Sequence, residues 1–240
     1  MAADNYPAKS AYHGQVASRY DEDRVVEPLW AVEQDFVRAW VETLPAGTRL
    51  LDVPVGTGRF VDFYLARGLT VQARDISADM VAQTRARHPA ATGQLDLAVG
   101  DAERLDLPDG AVDRVISWRL FHLIPPAVIE RVLREFRRVG RDEAVVQVLS
   151  VEPAGVVASA KRAVKNFLRP LWRKLRPPLP AAPATPWSHI GSFVHAERDL
   201  LNAFARTGWT VQRTATLGGT GDRVNRVYFL RPAAARTPPA

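Results

Sequence analysis

Apolar runs of strand length alternate with helical repeats over more than a third of the chain. Between Leu50 and Val151, short apolar segments are followed by segments whose apolar residues recur every three or four positions. The helical repeat is clearest in the segment 126–139. Its apolar face is formed by Val128, Ile129, Val132, Leu133, Phe136 and Val139. Strands that alternate with helices predict an α/β fold with a doubly wound sheet.

Two further helices follow from the same repeat. The segment PLWAVEQDFVRAWVETL precedes the first strand, and we expect its apolar face to pack on the edge of the sheet. That face consists of Leu29, Val32, Phe36, Trp40 and Leu44. The segment HAERDLLNAFARTGW lies near the end of the chain and closes at Gly208. Its apolar residues are Leu200, Leu201 and Phe204.

A glycine turn stands between the first strand and the helix that follows it, in the sequence LLDVPVGTGRF at 50–60. Gly56 and Gly58 permit a sharp turn and leave room for a ligand beside the backbone. The helix that starts next presents free N–H groups and the positive end of its dipole to the same place. This arrangement predicts a cofactor site, although a short glycine turn also serves as a plain helix start.

The residues around the turn discriminate between cofactors. A dinucleotide fingerprint needs a third glycine where Val61 stands, and a nucleotide triphosphate loop needs a Lys-Ser or Lys-Thr pair that is absent. What remains is an acid at the strand end, Asp52, followed by Gly56-Thr57-Gly58. This pattern resembles motif I of the class I S-adenosylmethionine-dependent methyltransferases.

Two more acids end the next two predicted strands. Asp75 lies 17 residues after Gly58, and a carboxylate there can accept hydrogen bonds from two vicinal ribose hydroxyls. The resemblance implies that the step from Asp101 to Ala102 holds the adenine, with the carboxylate accepting from the exocyclic amine. The cofactor-binding set is then Asp52, Gly56, Gly58, Asp75, Ile76, Asp101, Ala102 and Ser117.

The resemblance also implies a complete architecture. The fold class is α/β, with a Rossmann-like, mostly parallel sheet of seven strands in the order 3-2-1-4-5-7-6, a final antiparallel hairpin and helices on both faces. We expect one domain over residues 1–240, with lid helices at 8–45 and a core at 48–151 and 196–232. A basic helical insertion at 153–195 lies near the substrate side.

Catalysis of methyl transfer asks mainly for alignment, together with a base when the acceptor is a hydroxyl or a protonated amine. His122, in SWRLFHLIPP, is the first candidate base, although a histidine in such an apolar run is often a packing residue. His189 and His195 are rival candidates from the substrate-side insertion. In the lid, Tyr20 occupies the place of an aromatic near cofactor or substrate. Tyr12 and Arg19 are further candidates for closing the site.

The composition of the chain excludes several other kinds of protein and of functional site. The 240 residues are 47% hydrophobic and 24% charged, enough to bury a core. Without cysteine there is no disulfide, thiolate nucleophile or thiolate metal site, and the five histidines form no ligand pair, so no metal is predicted. No signal core or long apolar run is present, which predicts a cytoplasmic protein. Ser117-Trp118-Arg119-Leu120 stands where methyltransferases of nucleobase amines have NPPY or DPPY.

The segment Pro153–Ala196 contains seven basic residues and no acid, whereas the whole chain has a net charge of +6. Its apolar residues recur at helical steps, which predicts a basic amphipathic helix. Four interpretations stay open: a cap that aims cations at an acidic substrate, contact with an anionic membrane on the inner surface, binding of nucleic-acid phosphates, and a solvated basic face. The insertion point favours the first, and nucleic acid is the least favoured.

The sequence therefore predicts an S-adenosylmethionine-dependent methyltransferase that modifies an oxygen or nitrogen of a small molecule, acidic or lipid-linked. Two alternatives remain. One is a non-catalytic S-adenosylmethionine-binding regulator, and the other is an NAD(P)-binding Rossmann oxidoreductase, which Val61 disfavours. The identity of the acceptor and the oligomeric state stay open.

Overall fold

The computed structural model describes residues 6–25, 27–91, 93–151, 192–220 and 222–234. The predicted basic helix, the candidate base His189 and most of the C-terminal tail lie outside the described residues.

Helices and strands alternate as the apolar pattern predicts. The helices are α1 (Ala8–Ala11), α2 (Gln15–Ser18), α3 (Tyr20–Arg24), α4 (Pro28–Glu42), α5 (Val61–Ala66), α6 (Ala78–Arg87), α7 (Pro126–Val139) and α8 (Glu197–Arg206), with a 3-10 helix at Phe121–Leu123. The strands are β1 (Arg49–Asp52), β2 (Thr70–Asp75), β3 (Leu95–Val99), β4 (Val112–Ser117), β5 (Gly140–Val151), β6 (His195–Ala196), β7 (Trp209–Thr220) and β8 (Arg223–Pro232). Helix α7 has the predicted bounds.

The strands form one mostly parallel sheet in the order β3-β2-β1-β4-β5-β8-β7. β8 runs antiparallel to both β5 and β7, whereas the pairs among β1 to β5 are parallel. The two-residue strand β6 pairs with the end of β5 and was not foreseen. Without β6, the last two strands become the sixth and seventh, and the predicted order 3-2-1-4-5-7-6 is confirmed.

The core lies on both faces of this sheet, because successive residues of a strand point to opposite sides. Leu51 and Val146 pack with the apolar face of α7 and with α8. Leu50 and Val145 belong to the opposite layer, with α4 and α5. Since both faces of β1, β4 and β5 are covered, most of their residues are buried.

Two predicted helix faces need correction. Val32 of α4 is 43% exposed, and the neighbouring Glu33 is 1% exposed. The helix turns Glu33 inward because Arg59 and Arg119 both pair with its carboxylate. In α8, Leu201 is 42% exposed, since it lies about 100° around the helix from the buried Leu200.

Candidate cofactor cleft and adjoining cavity

A cleft lies beyond the carboxyl ends of β1, β2 and β4, where ligands bind in open α/β sheets. Its walls come from the glycine turn, from the ends of β2, β3 and β4, and from the N-terminal segment. Its volume is about 940 Å³, including space open to solvent. The N-terminal residues that border it are Tyr6, Lys9, Tyr12 and Tyr20.

The two glycines of the turn have different roles. Both have positive φ, +58° at Gly56 and +78° at Gly58. A Cβ on Gly56 would meet no atom within 4 Å, and this residue borders the cleft. A Cβ on Gly58 would lie 2.8 Å from Cγ2 of Thr84 on α6. Gly56 therefore leaves room beside the cleft, and Gly58 allows α6 to pack against the turn.

Asp75 is fastened at the wall of the cleft by two backbone donors. The N–H of Gly56 donates to Oδ2 at 2.8 Å and the N–H of Ser77 donates to Oδ1 at 2.9 Å. Burial raises the pKa of Asp75 to about 6, against the lowering effect of these two bonds and of His13. The carboxylate is thus mostly ionised at neutral pH. Each oxygen keeps a lone pair that a ligand hydroxyl can use.

Asp101 borders the cleft next to Gly100, whose N–H donates to the carbonyl of Asp75 at 2.9 Å. Its Oδ1 accepts the N–H of Glu103 at 2.9 Å, and its Oδ2 pairs with Nζ of Lys9 at 3.0 Å. The adjoining cleft wall is formed by Ile76, Met80 and Ala102. An acid beside apolar walls suits a flat heterocycle that carries an amine.

Asp52 and Ser117 end β1 and β4 without lining the cleft. Asp52 is buried and accepts a hydrogen bond from the hydroxyl of Tyr64 at 3.1 Å. Burial raises its pKa to about 8, although the Tyr64 bond acts in the opposite direction. The hydroxyl of Ser117 is also buried. Oδ1 of Asp52 and Oγ of Ser117 are buried without a hydrogen-bond partner among the described residues.

The N-terminal segment is held over the cleft by bonds to both of its sides. The carbonyl of Tyr12 accepts from Oγ of Ser77 at 2.5 Å, next to Asp75. Asp21 of α3 accepts from Oγ1 of Thr57 at 2.8 Å, inside the glycine turn. The rings of Tyr12 and Tyr20 meet edge to face with centroids 6.0 Å apart. Arg19 points mostly to solvent.

A second cavity of about 830 Å³, including open space, adjoins the cleft. Three residues border both spaces: Tyr12, Arg119 and Leu123. The other residues around the cavity come from α3, from α4 and its N-cap, from the 3-10 helix, from the strands β5 and β8, and from the segment before β6. They are Arg24, Glu27, Leu29, Glu33, His122, Gln147, Leu149, Ser192 and Asn225.

Comparison of the sequence with known proteins finds methyltransferases. Residues 50–143 match the family model of a methyltransferase domain. A demethylmenaquinone methyltransferase of Parafrankia sp. is 33% identical over 190 residues, which are 70% of this chain and 65% of the relative. A malonyl-[acyl-carrier protein] O-methyltransferase of Pectobacterium atrosepticum is 33% identical over 132 residues, 54% of this chain and 46% of the relative. The chain thus spans less than two thirds of these relatives.

The fold of this chain is also similar to that of a methyltransferase whose structure has been solved. A magnesium protoporphyrin IX methyltransferase from Synechocystis, solved with S-adenosylhomocysteine, superposes with a TM-score of 0.65. The match has 15% identity and covers 94% of this chain and 98% of the other. The chain contains a methyltransferase domain and has the fold of the class I S-adenosylmethionine-dependent methyltransferases. The resemblance stated from motif I is therefore confirmed.

The cleft of this methyltransferase domain fits the family's cofactor at the predicted positions. Five predicted residues line it, namely Gly56, Asp75, Ile76, Asp101 and Ala102. The ionised Asp75 suits a pair of ribose hydroxyls, and the open space beside Gly56 leaves room for a ligand near the backbone. Among the residues that the structure describes, no cluster of His, Asp and Glu could hold a metal ion.

Three candidate catalytic residues can be placed, and two of them border the cleft or the cavity. Tyr20 lines the cofactor cleft, and His122 lines the second cavity. Although His122 borders open space, surrounding atoms desolvate it, and together with Arg119 and Arg24 they lower its pKa to about 3. Its imidazole is neutral at pH 7 and is a weak base. His195 is buried, and its Nε2 lies 2.7 Å from the carbonyl of Phe121, away from both spaces.

A chain of alternating charges lines these two spaces and was not predicted from the sequence. Arg24 pairs with Glu27 at 2.7 Å, and Glu27 pairs with Arg119 at 2.8 Å. Arg119 pairs with Glu33 at 3.0 Å, and Glu33 pairs with Arg59 at 2.7 Å. Two of these arginines had a positional signal, since Arg59 follows Gly58 directly and Arg119 lies two residues after β4. Their acidic partners had none.

Arg119 holds a left-handed backbone conformation, with φ of +56°. This conformation costs about 1–2 kcal/mol for a residue with a Cβ. The N–H of Arg119 donates to Oε1 of Gln147 at 3.1 Å, and its guanidinium is held by Glu27 and Glu33. These bonds keep Arg119 at the boundary between cleft and cavity.

No helix in the described part of the chain is long and apolar enough to span a bilayer.

Proposed function

We propose that this chain binds S-adenosylmethionine in the cleft and transfers its methyl group to an oxygen or nitrogen of a small-molecule acceptor. The observation that carries the proposal is the bond from the glycine turn to Asp75. The N–H of Gly56 donates to Oδ2 of Asp75, so the turn and the ribose-binding acid are locked together at the open end of the sheet.

The other cleft residues support the same ligand. The adenine would lie beside Asp101 and Ala102, and the ribose hydroxyls would meet Asp75. The rings of Tyr12, Tyr20 and Trp118 border the same space, and aromatic faces attract cations such as a sulfonium. When bound, S-adenosylmethionine supplies an activated methyl group, so the protein's task is alignment and the exclusion of water.

The protein's own groups would perform this task from two sides. The N-terminal segment, fastened to Ser77 and Thr57, covers the cleft and limits access of water. On the acceptor side, the neutral imidazole of His122 is suited to orient a hydroxyl by hydrogen bonding. Because its pKa is lowered to about 3, His122 would be a weak general base. His189, outside the described residues, stays a candidate base.

The named relatives agree with a small-molecule acceptor. Their names give demethylmenaquinone and malonyl-[acyl-carrier protein] as acceptors, and the superposed structure is a magnesium protoporphyrin IX methyltransferase. The basic segment 153–195, with seven basic residues and no acid, would contact an anionic membrane and so serve a lipid-linked acceptor. Co-sedimentation with phosphatidylglycerol vesicles, compared with phosphatidylcholine vesicles, tests the membrane part. Equal recovery with both kinds of vesicle would remove it.

Calorimetric titration tests the cofactor directly. We expect S-adenosylhomocysteine to bind at one site per chain and NAD to give no heat of binding. Binding of NAD without S-adenosylhomocysteine would overturn the proposal and favour a Rossmann oxidoreductase. For transfer itself, the production of S-adenosylhomocysteine from S-adenosylmethionine is measured with candidate hydroxyl and amine acceptors.

A further inference from the structure

The second cavity adjoins the proposed methyl donor. Tyr12, Arg119 and Leu123 border both spaces, so a molecule in the cavity would reach the cleft at this boundary. The inference that follows rests on the proposed function and concerns the chemistry of the molecule that the cavity accepts.

The charged residues in the described lining of the cavity are balanced in sign, and Glu33 also pairs with Arg59, which lines the cleft and not the cavity. Arg24 and Arg119 supply two positive charges, and Glu27 and Glu33 supply two negative charges. Glu27 lies between the two arginines, 2.7 Å from Arg24 and 2.8 Å from Arg119. Among the described lining residues, every charged side chain therefore has an opposite partner within the same wall.

A carboxylate or phosphate would bind weakly in such a cavity. It would lose its hydration, and it would have to compete with Glu27 or Glu33 for the guanidinium groups. Breaking such a pair would leave a glutamate without its partner charge in a partly buried site, which is unfavourable. An uncharged molecule avoids this cost.

The remaining polar groups of the cavity are uncharged. The amide of Gln147 donates to Oδ1 of Asn225 at 2.9 Å, and its own oxygen accepts from the N–H of Arg119. The amide nitrogen of Asn225 and the imidazole of His122 can bond a hydroxyl or carbonyl group. The apolar part of the lining, which would contact a ring, consists of Tyr12, Leu29, Leu123 and Leu149.

We propose that the second cavity is the acceptor site and that its balanced Arg–Glu lining selects an uncharged, hydroxyl-bearing ring system over an anionic one. Arg119 and Glu27 set this selectivity as positioning residues, because together they hold the lining neutral beside the cleft.

The experiment compares two probes of the same shape. With S-adenosylhomocysteine at saturating concentration and pH 7.5, the protein is titrated calorimetrically with 6-hydroxy-2-naphthamide and with 6-hydroxy-2-naphthoate. The two probes differ in charge and share the ring and the hydroxyl. We expect the amide to bind at least tenfold more tightly than the carboxylate.

A matched pair of variants assigns the selectivity to the cavity. Glu27→Gln removes a negative charge from the lining, and Glu22→Gln removes one from a side chain of α3 that is 76% exposed. In Glu27→Gln the preference for the amide should fall at least fivefold, because the arginines then attract the carboxylate. In Glu22→Gln the preference should stay unchanged.

Each outcome has one meaning. Equal or tighter binding of the carboxylate by the wild-type protein overturns the inference, and so does an unchanged preference in Glu27→Gln. Absence of binding by both probes, while S-adenosylhomocysteine binds, overturns the inference and leaves the cofactor proposal standing. Failure to bind S-adenosylhomocysteine contradicts the proposed function itself. Thermal unfolding of each variant confirms that it is folded.

Discussion

The cofactor cleft and the second cavity are neighbours that are built in opposite ways. The cleft is formed by segments that follow successive strands and by the N-terminal segment, and its two acids, Asp75 and Asp101, are held by the backbone N–H groups of residues 56, 77 and 103. The cavity draws side chains from residues as far apart as Arg24 and Asn225. One depends on local chain geometry, and the other depends on charges brought together by the complete fold.

This difference allows cofactor binding and acceptor preference to be tested separately. A substitution at a strand end should weaken binding of the cofactor and leave the charge balance of the cavity intact. A substitution in the Arg–Glu chain should change stability and acceptor preference, with a smaller effect on the cofactor.

The largest effect is expected at Glu33, the buried acid of the charge chain. Glu33→Gln leaves Arg59 and Arg119 next to each other without their shared counter-charge. Since Glu33 is 1% exposed and both arginines are mostly buried, the free energy of unfolding should fall by about 3 kcal/mol or more. Urea unfolding measures the change, with the exposed Glu22→Gln as control. A loss below about 0.5 kcal/mol would show that the pairs are not important for stability.

This charge chain is the part that the sequence could not reveal. Glu33 pairs with Arg119 across 86 positions of the chain, and a helical repeat places a glutamate on the solvent side of α4. The exposed Val32 and the buried Glu33 show that ion pairs with two distant arginines can place a glutamate on the buried side of α4, against its apolar pattern.

The cleft residues could be predicted, because each follows directly after a strand that its own apolar residues define. Asp75 and Asp101 lie at the cleft for this reason, whereas Gly58, Asp52 and Ser117 follow the same pattern and lie outside its lining. Side-chain direction explains the difference. The pattern places a residue at the correct edge of the sheet, and the packing around α5 and α6 decides whether it faces the ligand.

The second largest effect is expected at Asp75. Asp75→Ala removes the proposed partner of the ribose and the acceptor for the N–H groups of Gly56 and Ser77. The affinity for S-adenosylhomocysteine should fall about 100-fold, which corresponds to about 2.7 kcal/mol. Calorimetry measures the change beside Asp35→Ala, whose carboxylate is 74% exposed on α4. A loss below fivefold would remove Asp75 from the cofactor site.

A smaller effect of the same carboxylate should be visible as pH dependence. In the proposed complex, ribose hydroxyls would donate to the ionised form of Asp75, whose pKa burial raises to about 6. Affinity for S-adenosylhomocysteine should therefore be constant above pH 7 and fall as the pH drops through 6. The limiting slope is about tenfold per pH unit. Titrations between pH 5 and 7.5 measure the profile, and Asp75→Asn should flatten it. An equal slope in wild type and variant would assign the pH dependence to another group.

The smallest effect is expected at Lys9, which connects the N-terminal segment to the adenine end of the cleft. Its Nζ lies 3.0 Å from Asp101 and 2.8 Å from Glu103. Because the lysine is partly exposed, Lys9→Gln should cost about 0.5–1 kcal/mol of segment docking, so dissociation of S-adenosylhomocysteine should accelerate about threefold. Stopped-flow displacement measures the rate, with Arg38→Gln on the exposed side of α4 as control.

The opposite result at Lys9 would also be informative. Lys9 and a bound adenine amine would share one carboxylate, since Oδ2 of Asp101 already accepts from the lysine. If the lysine competes with the ligand for that oxygen, Lys9→Gln would slow dissociation. If it holds the segment closed, the variant would accelerate dissociation. The sign of the change therefore decides whether the bond between Lys9 and Asp101 closes the cleft over the cofactor or occupies its place.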